Sequence, residues 1–249
     1  MSIKISAMVL TKNEEDYIEY CLKSIRDIVD EIVIADGYST DGTIGIAKNT
    51  VPDHKLKIVQ TKVKNNFAVL RNFALKNITG DWVLVLDGDE VLAKPDGKPV
   101  TREDLEQHIK VAKQNNFFGY HIFTLHFLYN YRMIDGRNNG KHFSIARFYE
   151  KVKIIKYIRP IHELPEFKNG ERAIATTAQI CIFHFGHCKG MEDLRRKYRR
   201  SMTIKENPFR PEYEQYKNTD DYCKNHELFL MSRPIMFYYG HLPWCMNLW

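Results

Sequence analysis

Gly80-Asp81-Trp82-Val83-Leu84-Val85-Leu86-Asp87-Gly88-Asp89-Glu90 is the stretch whose reading decides the fold. The uninterrupted apolar run from Trp82 to Leu86 reads as a strand buried on both faces of a parallel sheet, since a half-exposed strand alternates apolar with polar residues. It stops at three carboxylates within four residues, Asp87, Asp89 and Glu90. Carboxylates crowded this closely repel one another unless a cation or a proton lies between them. Open α/β sheets bind ligands at the carboxyl ends of their strands, so a divalent metal carrying a phosphate suits that charge. A strand followed by a solvated acidic turn is the plainer reading of the same residues.

Upstream, the chain alternates strand and helix. Ile3 to Leu10 is a short apolar strand, and Thr11 stands three residues before Glu14, the spacing of a capping box. Ile18, Cys21, Leu22, Ile25 and Val29 then follow at helical spacing. Glu31 to Ala35 is a second strand ending at Asp36, and the turn formers from Gly37 to Thr43 open a helix to about Lys48. Leu56 to Gln60 is a third strand, and Phe67 to Leu75 has helical spacing. This alternation predicts a mostly parallel sheet with helices on both faces and a nucleotide site at its carboxyl edge.

Downstream the texture changes. After the turn at Pro95 to Pro99, Thr101 caps a polar helix with Leu105, Ile109 and Ala112 on its inner face. An aromatic, partly alternating stretch from Phe117 to Tyr131 follows, then strands near His142 to Tyr149, Lys153 to Ile158 and Thr176 to Phe185, a β-rich half of mixed direction. Residues 191–205 are strongly basic and read as a helix, and an aromatic, proline-containing extension runs over 206–249. The expected division is a catalytic domain over 1–205, with a nucleotide-binding half to residue 90 and an acceptor half after it, followed by that extension.

Composition sets outer bounds. A chain of 249 residues with 44% hydrophobic content can bury a full core. No apolar run approaches the roughly 18 residues that span a bilayer. Met1-Ser2-Ile3-Lys4 opens straight into a strand without a signal-peptide layout, and five cysteines stand in no framework spacing. Both features predict a cytoplasmic protein. The net charge of +6 favours anionic substrates or an anionic membrane surface.

The order Leu10-Thr11-Lys12-Asn13-Glu14-Glu15, Asp36, Ser39-Thr40-Asp41-Gly42-Thr43, Arg71-Asn72-Phe73-Ala74 and Gly80-Asp81-Trp82 running into Leu86-Asp87-Gly88-Asp89-Glu90 resembles glycosyltransferase family 2. Its texture is similar to the bacterial lipopolysaccharide-core glucosyltransferase-like branch. Ile161-His162-Glu163-Leu164 and His184 stand where that branch places a His-Glu pair and a later histidine. The resemblance implies a GT-A fold, Rossmann-like in its first half with a β-rich mixed acceptor half. It also implies a nucleotide-sugar donor, a divalent cation, Mn²⁺ or Mg²⁺, and transfer with inversion.

Departure of a nucleoside diphosphate builds negative charge that a carboxylate-held metal stabilises, and an acceptor hydroxyl needs a base. The resemblance assigns Asp89 and His184 to the metal, Asp87 to the ribose or the metal's water shell, and Glu163 to the base. It places Thr11, Glu14, Asp36 and Arg71 on the donor. Each has a plainer reading: Glu163 paired with Arg159, Asp36 as a turn cap, Arg71 as an exposed helix arginine, Thr11 and Glu14 as caps. Where the family often carries Asp-Asp-Gly-Ser this chain has Asp36-Gly37-Tyr38-Ser39, which leaves the nucleotide base open.

Other readings compete. Cys181, His184, His187 and Cys188 invite a zinc site, but on a strand positions 181 and 184 face opposite sides. Val83 to Leu92 also resembles the first motif of haloacid-dehalogenase-type phosphatases, with Asp87 as nucleophile. A non-catalytic sugar-nucleotide or glycan-binding module is a third reading. The partners expected are a nucleotide-sugar donor and a saccharide or lipid-linked saccharide acceptor. The basic helix and the terminal aromatics add peripheral membrane contact, and no nucleic-acid module is present.

Overall fold

The computed structural model describes residues 3–62, 66–128, 131–135, 146–160, 163–168, 174–188 and, for the backbone, 235–237. The basic segment 191–205, most of the extension, His162, Cys223 and Cys245 lie outside the described residues.

Three strand-helix units lead into the central strand: β1 (Ile5–Thr11), α1 (Ile18–Ile25), β2 (Glu31–Asp36), α2 (Thr43–Thr50), β3 (Leu56–Gln60), α3 (Phe67–Asn77) and β4 (Trp82–Asp87). β3, β2, β1 and β4 lie side by side, all parallel. Trp82 to Leu86 are buried, with Trp82, Leu84 and Leu86 packing into one core and Val83 and Val85 into another. These two apolar layers explain why the run does not alternate. Gly80 enters the sheet where a Cβ would overlap Ser6, so only glycine lets β4 start against β1.

β5 (Glu90–Ala93) and α4 (Arg102–Gln114) follow, with Thr101 and Asp104 closing a reciprocal capping box. Leu105, Ile109 and Ala112 are buried as their spacing predicts, and His108 joins them. The second half supplies β6 (Gly119–Leu128), β7 (Met133–Asp135), β8 (Ala146–Glu150), β9 (Ile154–Ile158), β10 (Leu164–Phe167) and β11 (Ile174–His187). β8 pairs antiparallel with β4 and carries the sheet on to β6. β11 runs parallel to β6 and antiparallel to β5, and β9 with β10 forms a separate hairpin. A strand within the expected extension, β12 (Ile235–Phe237), pairs with β7.

One local expectation is corrected. Thr11 and Glu14 do not cap α1: the helix begins at Ile18, its N-cap is Tyr17, and no side chain caps it. Thr11 remains in β1, paired in register with Asp36, because the sheet extends one residue further than the apolar run. Glu14 instead lies in a turn whose carbonyl accepts the amides of Tyr17 and Ile18.

Candidate active site

The parallel register aligns the strand ends: Thr11 lies opposite Asp36, Leu10 opposite Asp87, and Asp36 opposite Gln60. Two loops above them are tied together. The Asn13 amide donates to Ser39 Oγ at 2.9 Å, the Thr40 amide to Asn13 Oδ1 at 2.9 Å, and the Glu14 amide to Thr43 Oγ1 at 2.8 Å. Asp36 is fully buried and accepts from the Ser39 amide, from Ser39 Oγ at 2.5 Å and from Gln60 Nε2 at 2.8 Å. Its carboxylate organises the loop from inside. Thr11 Oγ1 is buried without a hydrogen-bond partner. Gly88 packs over it, where a Cβ would come within 2.8 Å of Thr11 Oγ1 and 3.0 Å of Glu14 Cγ.

The three carboxylates of the β4–β5 turn do not converge on one point. Asp87 Oδ1 accepts from Arg71 Nη2 at 2.9 Å, and its Oδ2 lies 4.0 Å from Arg147 Nη1. Burial would raise Asp87, but the guanidinium groups of Arg71 and Arg147 hold it below the ordinary aspartate value. Glu90 folds back to accept the Asp87 amide at 2.8 Å and Arg147 Nη2 at 2.8 Å. Burial pushes Glu90 up from its ordinary value; Arg147 pulls the other way, and Asp87 adds to the rise. Two arginines thus take the place the sequence reading gave to a cation beside Asp87 and Glu90. Arg147 stands in no sequence motif; only the antiparallel placement of β8 beside β4 brings it in.

Arg71 is buried on the inner face of α3, not exposed. Its Nε donates to Glu163 Oε2 at 3.1 Å, so it bridges Asp87 and Glu163. Glu163 is likewise buried, and it pairs with Arg71 where the plainer reading named Arg159. Arg71 also lies over the Tyr157 ring, 5.6 Å from its centroid. Arg71 Nη1, Arg147 Nε and Arg147 Nη1 are buried without hydrogen-bond partners. Each unmet donor of this kind costs about 1–3 kcal/mol, a cost that an anionic ligand at the carboxyl edge would relieve.

Asp89 faces β11. Its Oδ2 lies 3.6 Å from His184 Nε2, too far for a hydrogen bond. Two donors on one ion at roughly 2.0–2.2 Å stand roughly 3–3.6 Å apart, so the spacing fits a pair of metal ligands. A Cβ on Gly186 would come within 2.7 Å of His184 Nε2 and closer still to Asp89 Oδ2. The missing side chain leaves the room these two groups occupy. One carboxylate oxygen and one imidazole suit a divalent ion, and Asp89 and His184 are the residues that would hold it. Gly186→Ala should lower Mn²⁺ affinity about 10–100-fold, as disturbed metal surroundings do, with the far-ultraviolet dichroism unchanged; a metal titration of both proteins checks this. Of the residues considered for zinc, Cys181 packs into the apolar core on the opposite face and donates to the Ala93 carbonyl at 3.3 Å. It is not available to His184. A nearer group is His126, His184 and His187, one ligating atom from each lying within 4.8 Å of the others.

An α/β domain whose parallel strand ends gather carboxylates, arginines and a fitted Asp-His pair is the kind of domain that handles phosphorylated ligands. The chain belongs to glycosyl transferase family 2: the family profile, "Glycosyl transferase family 2", matches residues 6–148. The match covers the stretch that also resembled the phosphatase motif, and it places Asp87 in the transferase family. The chain is 27% identical over 214 residues to the SPbeta prophage-derived glycosyltransferase SunS of Bacillus subtilis (strain 168), covering 86% of this chain and 47% of that protein. An uncharacterized glycosyltransferase of Rickettsia felis is 31% identical over 119 residues, 48% of this chain and 38% of that one. The chain therefore spans less than half the length of these curated relatives. Among solved structures, glucosyl-3-phosphoglycerate synthase from Mycobacterium tuberculosis with Mn²⁺, UDP and glucosyl-3-phosphoglycerate is similar at 15% identity and a TM-score of 0.48, over 82% of this chain and 80% of that one. Among the described residues no helix is long and apolar enough to cross a membrane.

Proposed function

We propose that this domain transfers a hexose from a nucleotide diphosphate sugar, with UDP as the first nucleotide to try, to a saccharide or lipid-linked saccharide, with inversion at the sugar carbon. The observation that carries the reading is the Asp89–His184 pair across Gly186, set beside an arginine that joins Asp87 to Glu163. A divalent metal on Asp89 and His184 would supply positive charge to the departing diphosphate. Arg71 and Arg147 orient that group with their unspent N–H donors, whose charge offsets what builds on the leaving oxygen. Asp87, kept ionised by the same arginines, accepts hydrogen bonds from the ribose. Glu163 takes the acceptor hydroxyl's proton as that oxygen bonds the sugar carbon and the bond to the diphosphate breaks. Its Oε2 is tethered by Arg71, which fixes the carboxylate and leaves Oε1 for the proton. Peripheral contact of residues 191–205 with an anionic membrane belongs to the same reading, as the way to a lipid-linked acceptor.

The test is a binding and hydrolysis screen of UDP-, GDP- and dTDP-sugars with Mn²⁺ or Mg²⁺. One donor should bind and hydrolyse slowly only with metal, and Asp89→Ala should lose both. Metal-independent binding of every donor, equal in the variant, would sink the reading.

A further inference from the structure

Beside Asp89 and His184 stand two imidazoles to which the donor-site reading gives no role. β6 and β11 run parallel, and their register sets His126 directly beside His184. The register shifts between His184 and His187. On an even strand those two side chains would face opposite sides of the sheet; the bulge turns His187 toward His184 and His126. All three rings are half-buried.

Two distances separate their roles. The Nδ1 atoms of His126 and His184 are 2.7 Å apart. That is a hydrogen-bond length, and it is too short for two nitrogens on one ion, which bonds of about 2.0–2.1 Å hold roughly 3 Å or more apart. His126 therefore stands behind His184, not next to it on a shared metal. Between two Nδ1 atoms there is room for a single hydrogen, so one ring donates and the other accepts. If His126 donated, neutral His184 would carry its own hydrogen on Nε2, the atom 3.6 Å from Asp89 Oδ2, and could not ligate there. If His184 donates, Nε2 keeps its lone pair. Metal-bound histidines regularly give their second N–H to a neighbouring acceptor, which fixes both tautomer and ring orientation.

We propose that His126 is a positioning residue for the metal site: it accepts the Nδ1–H of His184 and so holds the tautomer whose Nε2 faces Asp89. The inference deepens the donor-site reading and rests on its placement of the metal. His187 packs edge-on against His184, with ring centroids 5.5 Å apart at 83°, and limits rotation of that ring.

The experiment joins nitrogen-15 imidazole spectra of the metal-free protein to Mn²⁺ titrations followed by electron paramagnetic resonance. The native protein should show His184 protonated on Nδ1, and His126→Ala should return it to the Nε2–H form. Mn²⁺ affinity should fall about 10–100-fold in His126→Ala. His126→Asn, whose side-chain carbonyl can accept the same hydrogen, should restore most of the loss, which a merely structural role would not predict. An Nε2–H tautomer in the native protein, or native affinity in His126→Ala, overturns the proposal. So do equal losses in His126→Ala and His187→Ala without rescue by asparagine, which would mark a three-histidine metal site. If Asp89→Ala leaves Mn²⁺ affinity unchanged, the donor-site reading fails, and the tautomer spectrum still decides the role of His126.

Discussion

Glu163→Gln is expected to lower donor turnover about 10²–10⁴-fold, the usual contribution of a positioned base. The amide keeps an oxygen that can accept from Arg71 Nε, so the buried connection from α3 survives in weakened form while the proton acceptor is removed. Donor and Mn²⁺ affinity should stay within a few-fold of native, because the pair proposed to hold the metal, Asp89 and His184, is untouched. Initial rates of donor hydrolysis, with water as acceptor, together with calorimetric donor binding separate the two effects. A variant that turns over within a few-fold of native would remove Glu163 from the chemistry and leave it as the ionic partner of Arg71.

Arg71→Met should produce the largest loss of stability. It strands Glu163 without its cation and takes from Asp87 the nearer of two guanidinium groups. Breaking a buried ion pair from one side costs about 3–5 kcal/mol. The lower end applies here, because Asp87 keeps Arg147 and its side chain is 35% exposed. A loss of about 3 kcal/mol lowers Tm by roughly 6–12 °C in a domain of this size. Arg71→Lys should recover part of it, since one ammonium cannot span both carboxylates as the planar guanidinium does. The pH dependence adds an independent check. Asp87 titrates lower in the folded chain than unfolded, so its ionised form contributes stability that is complete above the ordinary aspartate value of about 3.9 and lost as pH falls through the lower folded value. In Arg71→Met that contribution shrinks, and the slope of Tm against pH below about pH 4 should flatten. An unchanged slope would mean that Arg71 does not govern the ionisation of Asp87.

Legibility in the sequence followed the range of the interaction. The apolar run Trp82 to Leu86 marks a two-faced buried strand, and the sequence bounds Leu56 to Gln60 as the structure does, because the run of strand-forming residues between turn formers is set within a few positions. Asp36 and Asp87 could be placed at strand ends for the same reason. The expected capping box at Thr11 and Glu14 failed because a local spacing competed with a sheet register it could not include. Motif order identified Arg71, Glu163 and His184 as worth attention without saying what they touch. Arg147 and His126 gave no signal, since an isolated arginine in an apolar strand and a histidine in an aromatic one are each compatible with ordinary packing.

The sequence by itself determined the alternating strands and helices, the carboxyl edge at which Asp36 and Asp87 stand, and the family. Only the tertiary structure decided which polar side chain meets which: Arg71 with Glu163 across 92 positions, Arg147 with Glu90 across 57, His126 with His184 across 58. Periodicity is enforced by neighbouring residues and is written locally. The pairing of buried charges is enforced by the cost of leaving any one of them alone in the interior, and it is settled when distant strands close on each other.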